Sequence, residues 1–225
     1  MLTLVLAESA LELVPKELVN HPLVVRDAKR RHKRPEELLL DRSYHHRAMT
    51  KLVGSERRGR PDVVHITLLT SLGSPLNLEG KLRIYIHTAK DRVISLSPQV
   101  RIPRNTERFK GLIEELFASG RVPSGGEPLL ESHKMNLPQL IKAIEPSHTV
   151  GLTVRGESRS VSEIAASLAR ENNPVVLIGG FPRGHFSIGA TKLANETMKI
   201  YTKGLEAWTV ASWMIFAYGL AAGLN

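Results

Sequence analysis

The sequence contains no cysteine, and this absence removes several classes of protein. Without cysteine there is no disulfide framework, no zinc finger built on paired thiolates and no cysteine nucleophile. Internal repeats and low-complexity tracts are also missing. A chain without disulfides is typical of a reducing compartment, which predicts a cytoplasmic location.

Signals for export or membrane insertion are weak. The apolar N-terminus, residues 1–7, has no positively charged region before it and runs directly into Glu8, so it is a poor signal peptide and predicts a first β-strand. The apolar run from Trp208 to Leu220 is shorter than the ~20 residues that a membrane span requires. We therefore expect no membrane partner, and we expect this run to form a buried helix that could lie at a subunit interface.

The positive charge of the chain is concentrated in one segment. The chain has 225 residues, which fits one large domain, and its formal net charge is +9. Residues 26–60 contain twelve Lys or Arg and five Asp or Glu, so they carry most of the excess. A basic segment on a nearly neutral body predicts a polyanionic partner. The alternative is a solvated charged face without a ligand.

The second half of the chain has the pattern of a parallel α/β sheet, with predicted strands at 149–154 and 175–178 and a helix between them. The strand at 175–178 runs into a loop with glycines at 179, 180 and 184, and a second predicted strand, 198–201, runs into Thr202, Lys203 and Gly204. Open α/β sheets bind ligands at the carboxyl ends of their strands. The two loops could therefore form two walls of one pocket. The alternative for the first is an ordinary turn between strand and helix.

The first half is harder to interpret. The pattern predicts a helix from Glu8 or Ser9 to Leu18, a basic loop over 26–35 and a strand over 63–69. Just before that strand, Asp62 is close enough to Arg60 to hold its guanidinium in a fixed orientation. A simple turn stabilised by Pro61 and Asp62 is the alternative.

Three arginines surround the start of a helix predicted over 107–117. Arg108 lies in its first turn, where the helix dipole disfavours a cation, and Arg101 and Arg104 precede it. This arrangement is reasonable if an anion binds there, so these side chains could converge on phosphates or stack on exposed bases.

The adjacent histidines His45 and His46 do not predict a metal site. Neighbours in sequence point to different faces of a helix, and no suitable further ligand lies at metal-binding spacing. We expect no metal, and a structural or RNA-facing role for these side chains.

Taken in order, five segments resemble the archaeal and eukaryotic small-subunit rRNA pseudouridine N1-methyltransferases of the SPOUT class: residues 41–49, 59–62, 101–105, 175–184 and 201–208. The resemblance covers nearly the whole chain. It implies an α/β fold with a mostly parallel sheet, a C-terminal deep trefoil knot and basic insertions. It further implies a single domain over 1–225 with a basic RNA-binding extension at about 26–60, a homodimer, S-adenosyl-L-methionine as cofactor and small-subunit rRNA as partner.

The resemblance also implies roles for individual residues. The arginines that would bind RNA are Arg60, Arg101, Arg104 and Arg108, with Asp62 orienting Arg60. Asp62 is also the nearest candidate for a catalytic base, although a carboxylate paired with a guanidinium is a weak one. The residues that would bind the cofactor are Thr153, Gly179, Gly184, Ile200, Tyr201, Thr202, Lys203, Gly204 and Leu205.

Two other functions stay open at this point. A ribosome-assembly factor that binds rRNA without catalysis would have the same basic segment. A dinucleotide-binding oxidoreductase is disfavoured because the first predicted strand and helix lack the G-x-G-x-x-G spacing between them.

Overall fold

The computed structural model describes residues 1–224, and its centre is one mixed sheet of eight strands. The strands are β1 (Leu2–Ser9), β2 (Leu82–Thr88), β3 (Arg92–Leu96), β4 (Arg121–Val122), β5 (Leu130–Lys134), β6 (His148–Ser158), β7 (Pro174–Gly179) and β8 (Glu196–Lys199). Their spatial order is β4-β5-β3-β2-β1-β7-β6-β8. The pairs β1–β2, β1–β7, β6–β7 and β6–β8 are parallel, and the pairs that join β3 to β2, and β5 to β3 and β4, are antiparallel. The mostly parallel α/β sheet is thus confirmed.

Helices cover both faces of this sheet. They are α1 (Pro22–Arg30), α2 (Arg42–His45), α3 (Pro61–Leu72), α4 (Pro75–Leu78), α5 (Thr106–Ser119), α6 (Leu137–Ile144), α7 (Val161–Leu168), α8 (Ile188–Thr191) and α9 (Ala207–Ala221). One apolar core joins α3, α4, α5, α7 and α9 to the sheet, and a second joins α6 and α8 to the opposite face. No helix of residues 1–224 combines the length and the apolar character that crossing a bilayer requires.

The central strands are buried on both faces, which explains their uninterrupted aliphatic sequences. Side chains alternate between the faces, so Leu4 and Leu6 of β1 enter the first core while Val5 and Ala7 enter the second. The parallel register pairs Ala7 with Gly179, so β1 and β7 end at the same edge of the sheet.

The strand predicted over 63–69 is wrong, because these residues lie in α3. Pro61 occupies a first-turn position and Asp62 adds a carboxylate to that turn, and both favour a helix N-terminus. The helix lies among α5, α9 and the sheet, so it is apolar on most sides. An unbroken apolar run does not distinguish such a helix from a buried strand.

Two other predictions in the first half are wrong. The helix predicted from Glu8 or Ser9 to Leu18 is replaced by the end of β1 and a short 3-10 turn at Lys16–Leu18, since Pro15 interrupts the segment. The basic loop predicted over 26–35 contains most of α1, which Pro22 begins and which places Lys29 and Arg30 in its last turn. Cations at that end are favoured by the helix dipole.

The basic segment is folded around internal ion pairs. Seven of its twelve cations lie within 4.0 Å of a carboxylate, namely Arg30, Arg31, Lys33, Arg34, Arg57, Arg58 and Arg60. It also shares a small apolar core with the residues before it, which begins at Val14, ends at Leu52 and includes Val24 and Ala28 of α1. Much of the charge therefore stabilises the attachment of this segment, which we call the basic extension (residues 26–60), to the rest of the chain.

Glu114 of α5 is the main anchor of the basic extension. Its buried carboxylate accepts hydrogen bonds from Arg31 at 2.6 and 2.7 Å, from Lys33 at 2.6 Å and from the backbone N–H of Leu39 at 2.9 Å. Replacing it with glutamine removes the charge and turns an N–H₂ group toward two cations. We expect Glu114→Gln to lower the free energy of unfolding by about 3 kcal/mol.

Thermal denaturation checks this prediction. The midpoint of Glu114→Gln should fall by about 10 °C. Glu115→Gln is the matched control. Glu115 is the exposed neighbour of Glu114 on the same helix, so its replacement should change the midpoint little. Equal midpoints for the two variants would contradict the anchoring role.

Candidate functional site

A cavity of about 370 Å³ lies between the loop after β7 (residues 180–187) and the loop after β8 (residues 200–206). We call these the first and second site loops. Of the residues proposed from sequence to bind a cofactor, eight line the cavity: Thr153, Gly179, Gly184, Ile200, Tyr201, Lys203, Gly204 and Leu205. Thr202 is not among the lining residues. The two glycine-bearing loops thus form walls of one pocket.

Strand register places the cavity here. Leu152 of β6 pairs with Ile178 of β7 and with Met198 of β8, so all three strands deliver their following residues to one edge. Between Leu152 and Glu157 the pairing of β6 with β8 is interrupted, and the intervening residues bulge out of the ladder. This bulge brings Thr153 to the cavity wall.

The glycines in and next to the first site loop, at 179, 180 and 184, are required for different physical reasons. Gly184 has φ +93°, which side chains rarely adopt. A Cβ on Gly179 would lie 2.6 Å from the ring of Phe181, and one on Gly180 would overlap the side chain of Ser9. Gly179 and Gly180 are therefore needed for packing within the protein, as the alternative of an ordinary turn expects.

Gly204 in the second site loop is different. It lines the cavity, its φ lies outside the left-handed region, and a Cβ built there meets no heavy atom within 4 Å. The absence of a side chain at Gly204 therefore leaves open space at the cavity, and no clash within the protein requires a glycine there.

Sequence reasoning missed the aromatic part of the wall. Phe181 and Phe186 both line the cavity and meet edge to face, with ring centroids 6.1 Å apart. The guanidinium of Arg57, from the basic extension, lies 4.0 Å from the centroid of the Phe181 ring. The phenylalanines lie in or next to the glycine-rich segment and could have been included on that basis, but nothing in the sequence pairs Phe181 with Arg57.

Arg60 and Asp62 are paired as the sequence suggests. Arg60 Nε and Nη2 donate to the two carboxylate oxygens of Asp62 at 2.8 and 2.7 Å. The hydrogen bond that Arg60 donates to Asp62 raises the pKa of Arg60, so its guanidinium remains charged. The backbone N–H of Arg60 also donates to the carbonyl of Ala10, whose own N–H donates to the carbonyl of Gly180 in the first site loop.

Buried His65, one turn after Asp62, holds the arginine-bearing segment against α3. Its Nε2 lies 2.7 Å from the carbonyl oxygen of Pro103, and its ring stacks on Phe109 of α5 with centroids 4.4 Å apart. The segment 101–108 therefore lies beside the first turns of α3, where Arg60 and Asp62 are.

The other three candidate arginines, Arg101, Arg104 and Arg108, are exposed. No carboxylate of residues 1–224 lies within 4.0 Å of their guanidinium groups, in contrast with the paired cations of the basic extension. Asn105 accepts the N–H of Arg108 at 3.1 Å and so caps α5 in place of an external anion. The three side chains are free to contact a ligand.

The two neighbouring histidines point in different directions. His45 is buried: its Nδ1 accepts the N–H of Asp41 at 3.1 Å, and its Nε2 lies 3.4 Å from Asp27. Burial lowers the pKa of His45, although the nearby carboxylates of Asp27 and Asp41 act in the opposite direction. His46 is exposed. In the described part of the chain, no group of three or more His, Cys, Asp or Glu is arranged to hold a metal ion.

Comparisons with known proteins give a consistent result. The model of the EMG1/NEP1 methyltransferase family matches residues 4–219. The chain is 47% identical to "Ribosomal RNA small subunit methyltransferase Nep1" of Thermococcus onnurineus over 218 residues, 97% of this chain and 98% of that protein. It is 48% identical to the protein of the same name from Thermococcus kodakarensis over 227 residues, with full coverage of both. The crystal structure of Archaeoglobus fulgidus Nep1 bound to S-adenosylhomocysteine superposes with a TM-score of 0.86 at 33% identity, covering 97% of each chain.

Proposed function

Because the chain belongs to the EMG1/NEP1 methyltransferase family, we propose that it transfers a methyl group from S-adenosylmethionine to N1 of a pseudouridine in small-subunit rRNA. One observation carries this proposal for the present chain. A cavity built from two glycine-bearing loops lies at the carboxyl edge of the sheet, and one residue, Ala10, links the first of these loops to Arg60 through its N–H and its carbonyl oxygen. The proposed cofactor site and the proposed RNA site are therefore connected through Ala10.

The cavity suits the cofactor in size and lining. Its volume of about 370 Å³ lies in the range of small-molecule sites, 300–1,000 Å³. Ile200 and Leu205 provide apolar surface for an adenine ring, and the loop backbone provides N–H and C=O groups for the polar edges. We assign cofactor contacts to the eight lining residues named above and to neighbouring Thr202.

The bound cofactor would supply an electrophilic methyl group on a sulfonium, with S-adenosylhomocysteine as the leaving group. The protein's task is to align the nitrogen, the methyl carbon and the sulfur, and such positioning alone can contribute ~7–11 kcal/mol. The proton on N1 must also leave. Both oxygens of Asp62 accept hydrogen bonds from Arg60, so we assign Asp62 the role of orienting Arg60.

We assign the RNA-contacting role to Arg60, Arg101, Arg104 and Arg108. Moving a base out of its stack costs a few kcal/mol, and contacts with the surrounding phosphates offset this cost. Three of these arginines are exposed and have no carboxylate partner among residues 1–224, and Asp62 holds the fourth in a fixed plane. The remaining charge of the basic extension adds to the attraction of RNA.

Replacing Arg104 tests this assignment. We expect Arg104→Ala to weaken binding of a small-subunit rRNA fragment about tenfold. The slope of log K against log salt concentration should also fall by about one, because one counterion fewer is released on binding. Fluorescence anisotropy over a range of salt concentrations measures both. Arg34→Ala removes an exposed arginine that Glu37 pairs and is the matched control. Loss of S-adenosylhomocysteine affinity in Arg104→Ala, with RNA affinity retained, would contradict the assignment.

The chain is proposed to act as a homodimer through α9. Trp213, Phe216 and Leu220 lie on one face of this helix and are exposed by 41%, 69% and 54%. Exposed apolar surface of this kind marks an interaction site. Trp213 contacts Tyr201 of the second site loop edge to face at 6.2 Å, so this face adjoins the cavity.

A charge placed on this face should separate the subunits. Phe216→Glu is expected to convert a dimer into a monomer in light scattering coupled to size exclusion, because an interface core does not tolerate an unpaired carboxylate. Leu78→Glu is the control, since Leu78 is also a large exposed apolar residue but lies outside α9. A monomeric wild-type chain, or a dimeric Phe216→Glu variant, would refute the interface.

Two further parts of the proposal follow from the family resemblance. The C-terminal segment is proposed to thread into a deep trefoil knot, supported by the two site loops that face each other across one cavity and by α9, which follows them and packs on α3 and α7. An rRNA substrate favours a cytoplasmic location.

Calorimetry and a transfer assay test the function. The wild-type chain should bind S-adenosylhomocysteine and should transfer labelled methyl groups from S-adenosylmethionine to a pseudouridine-containing fragment of small-subunit rRNA. A non-catalytic assembly factor would bind the RNA and transfer nothing. That result would overturn the proposed activity.

A further inference from the structure

Glu8 has an unusual backbone conformation at the junction of the two proposed sites. It lies near the end of β1 with φ +53°, in the left-handed region that residues other than glycine rarely occupy. The pairing of β1 with β2 shifts register between Leu6 and Ser9, around this residue. Such conformations persist where the surrounding structure enforces them and concentrate at functional sites.

The carboxylate of Glu8 connects two parts of the chain that are distant in sequence. It accepts the backbone N–H of Ser187, at the end of the first site loop, at 3.1 and 3.3 Å. It also accepts Nη2 of Arg57, in the basic extension, at 3.0 Å. The Glu8 side chain is 15% exposed and that of Arg57 is 32% exposed, so this ion pair is shielded more than a surface pair.

Arg57 in turn covers the first site loop. Its guanidinium carbon lies over the ring of Phe181 in a cation–π contact, 4.0 Å from the ring centroid, and Phe181 lines the cavity. Its Cδ lies 3.6 Å from the position that a Cβ of Gly184 would take. The loop is therefore held from outside by Arg57 and at its end by Glu8.

The backbone of Glu8 is held from a third side. Its N–H donates to Nδ1 of His87 at 3.3 Å, and Nε2 of His87 donates to Asp91 at 3.2 Å. Burial lowers the pKa of His87, which keeps the ring neutral and Nδ1 available as an acceptor. Glu8 is thus fixed before any ligand binds.

We infer that Glu8 and Arg57 are positioning residues for the cofactor: the pair holds the first site loop in the conformation that S-adenosylmethionine requires. This inference rests on the proposed placement of the cofactor in the cavity. Neither Glu8 nor Arg57 lines the cavity itself, so the effect of the pair reaches the cofactor through Phe181, Gly184 and Ser187. A loop that is already ordered loses less entropy when the ligand binds.

Calorimetric titration of S-adenosylhomocysteine into four variants tests the pair. Arg57→Leu removes the charge and the planar group, and Glu8→Gln keeps an oxygen acceptor for Ser187 but removes the charge that attracts Arg57. We expect each to raise Kd about tenfold. The double variant should raise Kd no further than the larger single effect, because the residues act as one unit. Arg57→Lys keeps the charge but not the planar contact and should recover part of the affinity.

Arg47→Leu is the matched control for cofactor affinity. Arg47 is an exposed arginine of the same extension, and it has no carboxylate within 4.0 Å among residues 1–224.

Arg57 is partly exposed, so its variants should fold, and circular dichroism with a thermal midpoint near that of the wild type verifies this. In the transfer assay KM for S-adenosylmethionine should rise about tenfold while kcat stays within twofold, a separation that general destabilisation does not produce.

Wild-type affinity in folded Arg57→Leu and Glu8→Gln, or effects that add in the double variant, would overturn the inference and leave the proposed function standing. Failure of the wild-type chain to bind S-adenosylhomocysteine would instead overturn the proposed function on which the inference rests.

Discussion

An rRNA hairpin that carries pseudouridine at the target position is expected to accept a methyl group, and the same hairpin with uridine there is expected to accept none. The reason is chemical. In uridine, N1 forms the bond to the sugar and has no proton to lose, whereas pseudouridine joins its sugar through carbon and leaves N1 free. Selectivity therefore needs no dedicated contact, because only one of the two bases presents a nucleophile at that position.

The same pair of hairpins separates binding from chemistry. The proposed RNA contacts of Arg60, Arg101, Arg104 and Arg108 are directed mainly at the backbone, which the two hairpins share, so their affinities should agree within about threefold. Labelled methyl groups should be transferred to the pseudouridine hairpin, whereas the uridine hairpin should remain at the background of the assay. Equal transfer to both hairpins would contradict N1 of pseudouridine as the acceptor. Transfer to neither, with the hairpins still bound, would favour the assembly factor.

Replacing Gly204 with leucine is expected to abolish cofactor binding without destabilising the protein. Gly204 lines the cavity and a Cβ there meets no heavy atom within 4 Å, so the protein itself has room for a side chain. The cofactor would compete with that side chain for the same space. We expect S-adenosylhomocysteine affinity to fall at least 100-fold, about 2.7 kcal/mol, and the thermal midpoint to change by no more than about 2 °C.

Gly125→Leu is the matched control for this substitution. A Cβ on Gly125 likewise meets no heavy atom within 4 Å and its φ is not left-handed, but Gly125 does not line the cavity. Its S-adenosylhomocysteine affinity should equal that of the wild type. If Gly204→Leu binds as well as Gly125→Leu, the second site loop does not hold the cofactor.

The second half of the chain was predictable because its signals are local. A short aliphatic run that ends in glycines indicates a buried parallel strand and its loop without knowledge of distant contacts. The aliphatic run at 175–178 and the run at 198–201 correctly indicated two walls of one cavity, although the second strand, β8, is Glu196–Lys199 and ends two residues earlier than predicted. The pairing of Arg60 with Asp62 was predictable for the same reason, since only one residue separates them.

In the first half, the strand predicted at residues 1–7 is confirmed as β1, but other parts were not predictable in this way, because tertiary packing decides their structure. The apolar run 63–69 is compatible with a strand or a fully covered helix, and only its place among α5, α9 and the sheet makes it a helix. The contact of Glu8 with Arg57 and Ser187 joins residues 49 and 179 positions apart. No local pattern indicates it.

The charge of the basic extension shows what composition can and cannot predict. The excess of cations over 26–60 predicts a polyanionic partner, with a solvated charged face as the alternative, and neither interpretation includes ion pairs within the protein. Arg31 and Lys33 are instead bound to Glu114, and Arg58 to Glu12. These carboxylates lie outside the segment, so counting charges within it cannot reveal the pairs. Arg101, Arg104 and Arg108, which have no carboxylate partner within the described residues 1–224, belong to a different part of the chain.

A crystal structure of this chain with S-adenosylhomocysteine tests the proposed cofactor site most directly. We expect electron density for the ligand between residues 179–187 and 200–206, in contact with the backbone near Gly204 and with Thr153, and with the ion pair of Glu8 and Arg57 intact beside it. Density at any other place on the molecule, with this cavity empty at saturating ligand, would contradict the proposed site.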